Sequence, residues 1–144
     1  MRITERHLEE IPRANLRIPV REFARVWLRA EIRSDESAAA GEPEDGYLSG
    51  VCATCEWLAG AYIKVPGRGG QPRMTLRPAP LTAGYGNVKA YEELIAAETV
   101  AAEQVVAGSP PGKPGFPDGV LATLLWAWRG LGVPPIELPQ KQAR

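Results

Sequence analysis

Two cysteines form a Cys-x-x-Cys pair in the segment GVCATCEW, residues 50–57, a spacing that redox-active and metal-binding thiols share. A reactive thiol of this kind normally lies at the N-terminus of a helix, where its pKa is lowered. Cys52 and Cys55 instead fall in the middle of a predicted helix, on its main apolar face. Two Cys and one His also fall short of a four-ligand zinc site. The sequence therefore predicts buried, reduced cysteines, with no metal and no cofactor.

Glu98 lies near the centre of an apolar face of the predicted helix 88–107. A carboxylate in that position must pair, bind a proton or reach water at an edge. Arg129 is the one charge on the predicted helix that follows, so a buried ion pair between Glu98 and Arg129 is expected. A small enzyme built around the two residues is the least favoured interpretation, and no catalytic residue is predicted. His7 is expected to be solvated, and GRGG at 67–70 is expected to be a turn, because it lacks the Lys-Ser/Thr ending of a phosphate loop.

A basic stripe crosses the outer face of the predicted helix 20–33, carried by Arg21, Arg25, Arg29 and Arg33. It has three interpretations: a solvated surface, a docking face for an acidic protein, or a set of phosphate contacts. The chain holds 17 basic and 17 acidic residues, so no net charge steers the whole molecule toward nucleic acid. Phosphate contact is therefore the weakest of the three.

The segment GVCATCEW returns as GVLATLLW at residues 119–126, with five of eight positions identical. The two copies share a face of small residues and tryptophan, formed by Gly50, Thr54 and Trp57 in one copy and by Gly119, Thr123 and Trp126 in the other. Small residues four apart let helices approach closely, and we predict a duplicated helix. At least one of the two tryptophans is expected to be exposed and to anchor a partner.

The elements that must position these residues are helices separated by Pro- and Gly-rich segments. The expected fold is mainly α: a single-domain bundle of about four main helices, with the two repeat helices at its centre and long Pro/Gly loops. Its parts are an N-terminal arm (1–18), helix 20–33, an acidic linker, helix 47–63, a long basic loop (64–87), helix 88–107, a helix from about 118, and an extended tail (133–144).

The pattern of charge and hydropathy sets the functional expectation. The first residues lack the apolar core of a signal peptide, and the longest apolar run is too short to span a bilayer, so a cytoplasmic protein is expected. We predict a non-enzymatic interaction or adaptor protein that docks helix faces on another protein or on itself. The alternative is a nucleic-acid-binding accessory or regulatory protein, which would use helix 20–33 and the basic segment 64–77 with Arg68, Arg73 and Arg77.

Overall fold

A computed structural model describes residues 3–83, 88–110, 112 and 114–139, and this part of the chain is mostly helical, as predicted. It contains five α-helices and a two-stranded antiparallel sheet. In chain order the elements are α1 (Glu5–Glu9), α2 (Val20–Ala39), α3 (Gly46–Ala59), β1 (Tyr62–Pro66), β2 (Pro72–Leu76), α4 (Glu92–Ala107) and α5 (Phe116–Ala127).

Helix α3 lies at the centre of the packing. It contacts α5 most extensively and α2 next, while α4 packs against α5. Every residue of α3 from Gly50 to Ala59 is buried, which agrees with the apolar character of two of its sides in the sequence. Asn15 fastens the N-terminal segment to this centre, because its side-chain amide donates to the carbonyl oxygens of Leu58 at 2.9 Å and Ala90 at 3.0 Å.

Helix α2 is longer than the sequence analysis predicted. It continues past Arg33 to Ala39, so the first half of the predicted acidic linker is helical. Residues 34–39 contain neither Gly nor Pro, and the chain first adopts a left-handed conformation at Gly41, where φ is 70°. The additional turns place Asp35 and Glu36 on the same helix as the arginines.

The predicted boundary between helix 47–63 and loop 64–87 is wrong. Helix α3 ends at Ala59 because Gly60 takes the left-handed conformation that caps a helix, with φ 69°. The chain then forms a β-hairpin in which Tyr62 pairs with Leu76 and Lys64 pairs with Met74. Half-buried and exposed residues alternate along β1, as expected for a strand with one covered face. Residues 84–87 of the predicted loop and residues 140–144 of the predicted extended tail lie outside the described residues. Helix α4 likewise begins at Glu92 rather than at residue 88.

Candidate functional site

The glycines of the repeated segment lie where α3 crosses α5. A Cβ atom added to Gly50 would overlap the carbonyl oxygen of Phe116, and one added to Gly119 would overlap that of Tyr47. The two contacts are equivalent, because each glycine meets the residue three positions before the glycine of the other helix. The Thr54 hydroxyl donates to the Gly50 carbonyl at 2.7 Å, and Thr123 donates to Gly119 at 2.8 Å. The small residues thus bring two helix backbones together; the duplication itself stays a prediction.

The expectation of an exposed tryptophan in the repeated segment is wrong. Trp57 is 1% exposed and Trp126 is 5% exposed. The indole of Trp126 stacks on Phe23 of α2, with ring centroids 6.3 Å apart. The face formed by Gly50, Thr54 and Trp57, and its counterpart in α5, therefore build the core of this chain, because neighbouring elements cover the side that the main apolar stripe leaves open. They offer no exposed anchor for a partner.

The cysteine pair is buried, as predicted. Cys52 and Cys55 are free thiols in the middle of α3. Burial raises the pKa of both thiols; the carboxylates of Glu31 and Glu56 raise that of Cys52 further. A thiol with a raised pKa stays protonated at neutral pH and is a poor nucleophile. Among the described residues, no group of three or more His, Cys, Asp and Glu side chains is arranged to hold a metal ion.

The predicted ion pair between Glu98 and Arg129 does not form. Glu98 is buried, but its carboxylate accepts hydrogen bonds from the backbone of Leu81, from the backbone of Thr82 at 3.2 Å and from the Thr82 hydroxyl at 2.8 Å. Arg129 instead pairs with the more exposed Glu103 at 3.0 Å. Glu98 therefore holds residues 81–82 against α4, because three donors from these residues satisfy its side-chain oxygens without a cation.

A buried pair of carboxyl groups, formed by Glu31 of α2 and Glu56 of α3, was not predicted from the sequence. The two side chains share a hydrogen bond, the Trp27 indole donates to Glu31 at 3.1 Å, and the Arg77 guanidinium lies 3.3 Å from Glu56. Burial, followed by the hydrogen bond to Glu31 and its charge, raises the pKa of Glu56 to about 9, while Arg77 opposes the rise. Glu56 is thus protonated at neutral pH and can donate the hydrogen bond that it shares with Glu31.

The carboxylate pair lies in the wall of a cavity of about 520 Å³ between the helices and the hairpin. The other lining residues are His7, Tyr62, Ile63, Lys64 and Met74. His7 was expected to be solvated, but it has contacts within the chain. Its Nδ1 accepts a hydrogen bond from the Thr4 backbone amide, and its ring packs edge-on against Trp27, with centroids 6.2 Å apart. The cavity wall thus places the Lys64 ammonium group and the carboxyl groups of Glu31 and Glu56 around the same space as the Tyr62 ring and the Met74 thioether.

The outer side of α2 carries the predicted basic stripe together with two exposed apolar residues. Arg21 and Arg25 are exposed, whereas Arg29 and Arg33 are half-buried, so the predicted basic face is uneven. Between the exposed arginines and the helix C-terminus, Leu28 is 45% exposed and Ile32 is 38% exposed, one helical turn apart. The opposite side buries Phe23, Val26, Trp27, Ala30 and Glu31. The spacing of Leu28 and Ile32 in the sequence was the signal for this patch.

The basic segment that was predicted as a loop forms the tip of the β-hairpin. Arg68 and Arg73 are exposed there, and Arg77 lies half-buried beside Glu56. Most hairpin side chains are exposed or half-buried, whereas Leu76 is buried. Residues 57–89 contain five basic residues and no acidic one, so the hairpin tip carries local positive charge.

No known protein family, curated protein or solved structure matches the chain. None of the helices in the described ranges combines the length and the apolar character needed to cross a bilayer.

Proposed function

We propose that the protein is a non-enzymatic interaction protein that docks another protein chain through the outer side of α2. The observation that carries the proposal is the exposed pair Leu28 and Ile32, which lie at successive turns of a helix already packed on its opposite side. The proposal treats the chain as a single-domain helical bundle with a duplicated central helix pair, acting in the cytoplasm. The buried repeat faces take no part in docking.

The surroundings of this apolar pair favour a protein partner. Arg21 and Arg25 flank the pair on the same side of the helix, and arginine is enriched in protein interfaces because its guanidinium forms hydrogen bonds over an apolar stem. An apolar centre with a charged rim is the usual composition of such a surface. The helix already orders the backbone that carries these side chains, so docking has to order only the side-chain rotamers.

A second candidate is nucleic-acid binding, which the basic tip of the hairpin favours. Arg68 and Arg73 are exposed at that tip, in a stretch without acidic residues. Arginines at such a tip bind phosphate groups independently of base sequence. The neutral charge of the whole chain and the half-burial of Arg29 and Arg33 make this candidate the weaker of the two.

Gel filtration of native cell extract tests the proposal, with Leu28→Asp as the variant and Val100→Asp as its control. Val100 is 47% exposed on α4, close to the 45% of Leu28, so both changes place a charge at an equally accessible site. We expect the wild type and Val100→Asp to elute in a complex larger than the monomer, and Leu28→Asp to elute as a monomer with an unchanged melting temperature.

Nuclease treatment of the same extract distinguishes the two candidates. A complex that survives nuclease but is lost in Leu28→Asp supports protein docking. A complex that dissociates after nuclease treatment, and that does not form when Arg68 and Arg73 are changed to Glu, supports nucleic-acid binding instead. Elution of the wild type as a monomer, both in untreated extract and in the purified chain at high concentration, contradicts both candidates.

A further inference from the structure

The exposed stripe of α2 repeats with alternating spacings of four and three residues. Its members are all exposed: Arg21, Arg25, Leu28, Ile32, Asp35 and Ala39. This spacing keeps the side chains on one side of a helix and is the pattern by which two helices pack along their length. Val20–Ala39 is also the longest helix among the described residues, about 30 Å at 1.5 Å per residue.

The chemistry along the stripe is ordered from basic through apolar to acidic. Arg21 and Arg25 occupy its N-terminal part, Leu28 and Ile32 its centre, and Asp35 its C-terminal part, with Glu36 beside it. Charges of opposite sign are therefore equidistant from the apolar centre. Such a surface is complementary to itself when one copy is reversed.

We infer that the partner on this surface is a second copy of the chain, bound with its α2 antiparallel to the first; this inference rests on the proposed function. Positions equidistant from residue 30 then face each other across a two-fold axis. Leu28 of each copy meets Ile32 of the other, and Arg25 of each copy meets Asp35 of the other. Arg21 extends over Ala39 of the second copy, where the small side chain leaves room for the long one.

The reversed orientation is the favourable one. In a parallel pair, Arg25 of one copy would face Arg25 of the other and Asp35 would face Asp35, so like charges would repel at both ends. In the antiparallel pair, both ends carry opposite charges and the apolar side chains remain together. One helix pair of this length buries an area at the low end of specific interfaces, and its exposed charge pairs make the dimer weaken as salt is added.

Sedimentation equilibrium of the purified full-length chain tests the inference, with a charge reversal at two positions. Arg25→Glu places Glu opposite Asp35, and Asp35→Arg places Arg opposite Arg25, so each single change creates two repulsive pairs. We expect either change to weaken the dimer by about tenfold. The double variant R25E/D35R restores opposite charges at both ends and should return to within about threefold of the wild type. Thermal melts of each variant confirm that the monomer is folded.

The outcomes separate this inference from the proposed function. A wild type that sediments as a monomer up to about 1 mM, the limit of a weak interface, overturns the homodimer. If the larger complex in extract is nevertheless lost in Leu28→Asp, the docking function stands with a different partner. Dimerisation that the single variants leave unchanged, or that the double variant fails to restore, overturns the antiparallel pairing.

Discussion

Gly119→Ala should destabilise the protein by about 3 kcal/mol, the upper part of the range for an overpacked core. The added methyl group would overlap the carbonyl oxygen of Tyr47, and a helix backbone cannot move aside as a flexible side chain can. Alanine favours the helical conformation over glycine by about 1 kcal/mol. The expected loss of about 3 kcal/mol is what remains after this gain is subtracted from the cost of the overlap. Chemical denaturation of the wild type and the variant measures the difference directly.

Gly108→Ala is the matched control for this prediction. Gly108 follows α4, where an added Cβ would lie 3.5 Å from the Gln104 carbonyl oxygen, an ordinary contact distance. Its φ of −89° suits alanine, so the stability of this variant should change by less than about 1 kcal/mol. Equal stability of Gly119→Ala and the wild type would mean that α3 and α5 do not approach as closely as Gly50 and Gly119 indicate.

The free energy of unfolding should fall as the pH rises from about 5 to about 9, by roughly 1 kcal/mol per pH unit. Glu56 has a pKa raised to about 9 in the folded protein against 4.5 for an ordinary glutamate. Between these two values the folded state binds a proton that the unfolded state has released, so raising the pH favours unfolding. The stability that Glu56 contributes is fully present below its pKa in the unfolded chain. It is lost as the pH rises through the pKa of Glu56 in the folded protein.

Comparison of Glu56→Gln with the wild type isolates this contribution. Glutamine can donate a hydrogen bond to Glu31 as the protonated glutamate does, but it does not titrate. We expect the variant to lose most of the pH slope in denaturation experiments at pH 5.5, 7 and 8.5. Glu103→Gln, which removes an exposed carboxylate paired with Arg129, should keep the wild-type slope. Identical slopes for wild type and Glu56→Gln would show that the carboxyl pair does not hold a proton.

The helical character of the chain could be predicted because hydrophobic periodicity and capping residues are local properties. Asp45 caps α3 through the Leu48 amide, and the periodic apolar positions of the repeated segments lie in helices. The hairpin at Tyr62–Leu76 was missed because Tyr62 and Ile63 continued the predicted helix, while the Pro and Gly residues after them indicated a loop and not two paired strands. Strand pairing depends on contacts between residues far apart in sequence, which a local pattern does not specify.

The candidate surfaces could be predicted less well, because exposure depends on neighbours that the sequence does not place. Trp57 and Trp126 lie opposite the main apolar stripes, and at least one of them was expected at the surface, but adjacent elements cover both. Glu98 was correctly placed on an apolar face, yet its partners come from residues 81–82 rather than from Arg129. Leu28 and Ile32 stand at helical spacing in the sequence, but the four arginines of the same helix indicated a uniformly basic outer face.

The docking surface on α2 is tested most directly by a photo-activated crosslinking amino acid at position 28, with position 100 as the control. Leu28 and Val100 are exposed to similar degrees, 45% and 47%, on different helices, so the reagent has equal access to solvent at both positions. Irradiation of native cells is expected to join position 28 to a protein chain and to leave position 100 without an adduct. Mass spectrometry of the adduct identifies the chain. Adducts of equal yield at both positions, or none at position 28, would contradict the assignment of α2 as the interaction surface.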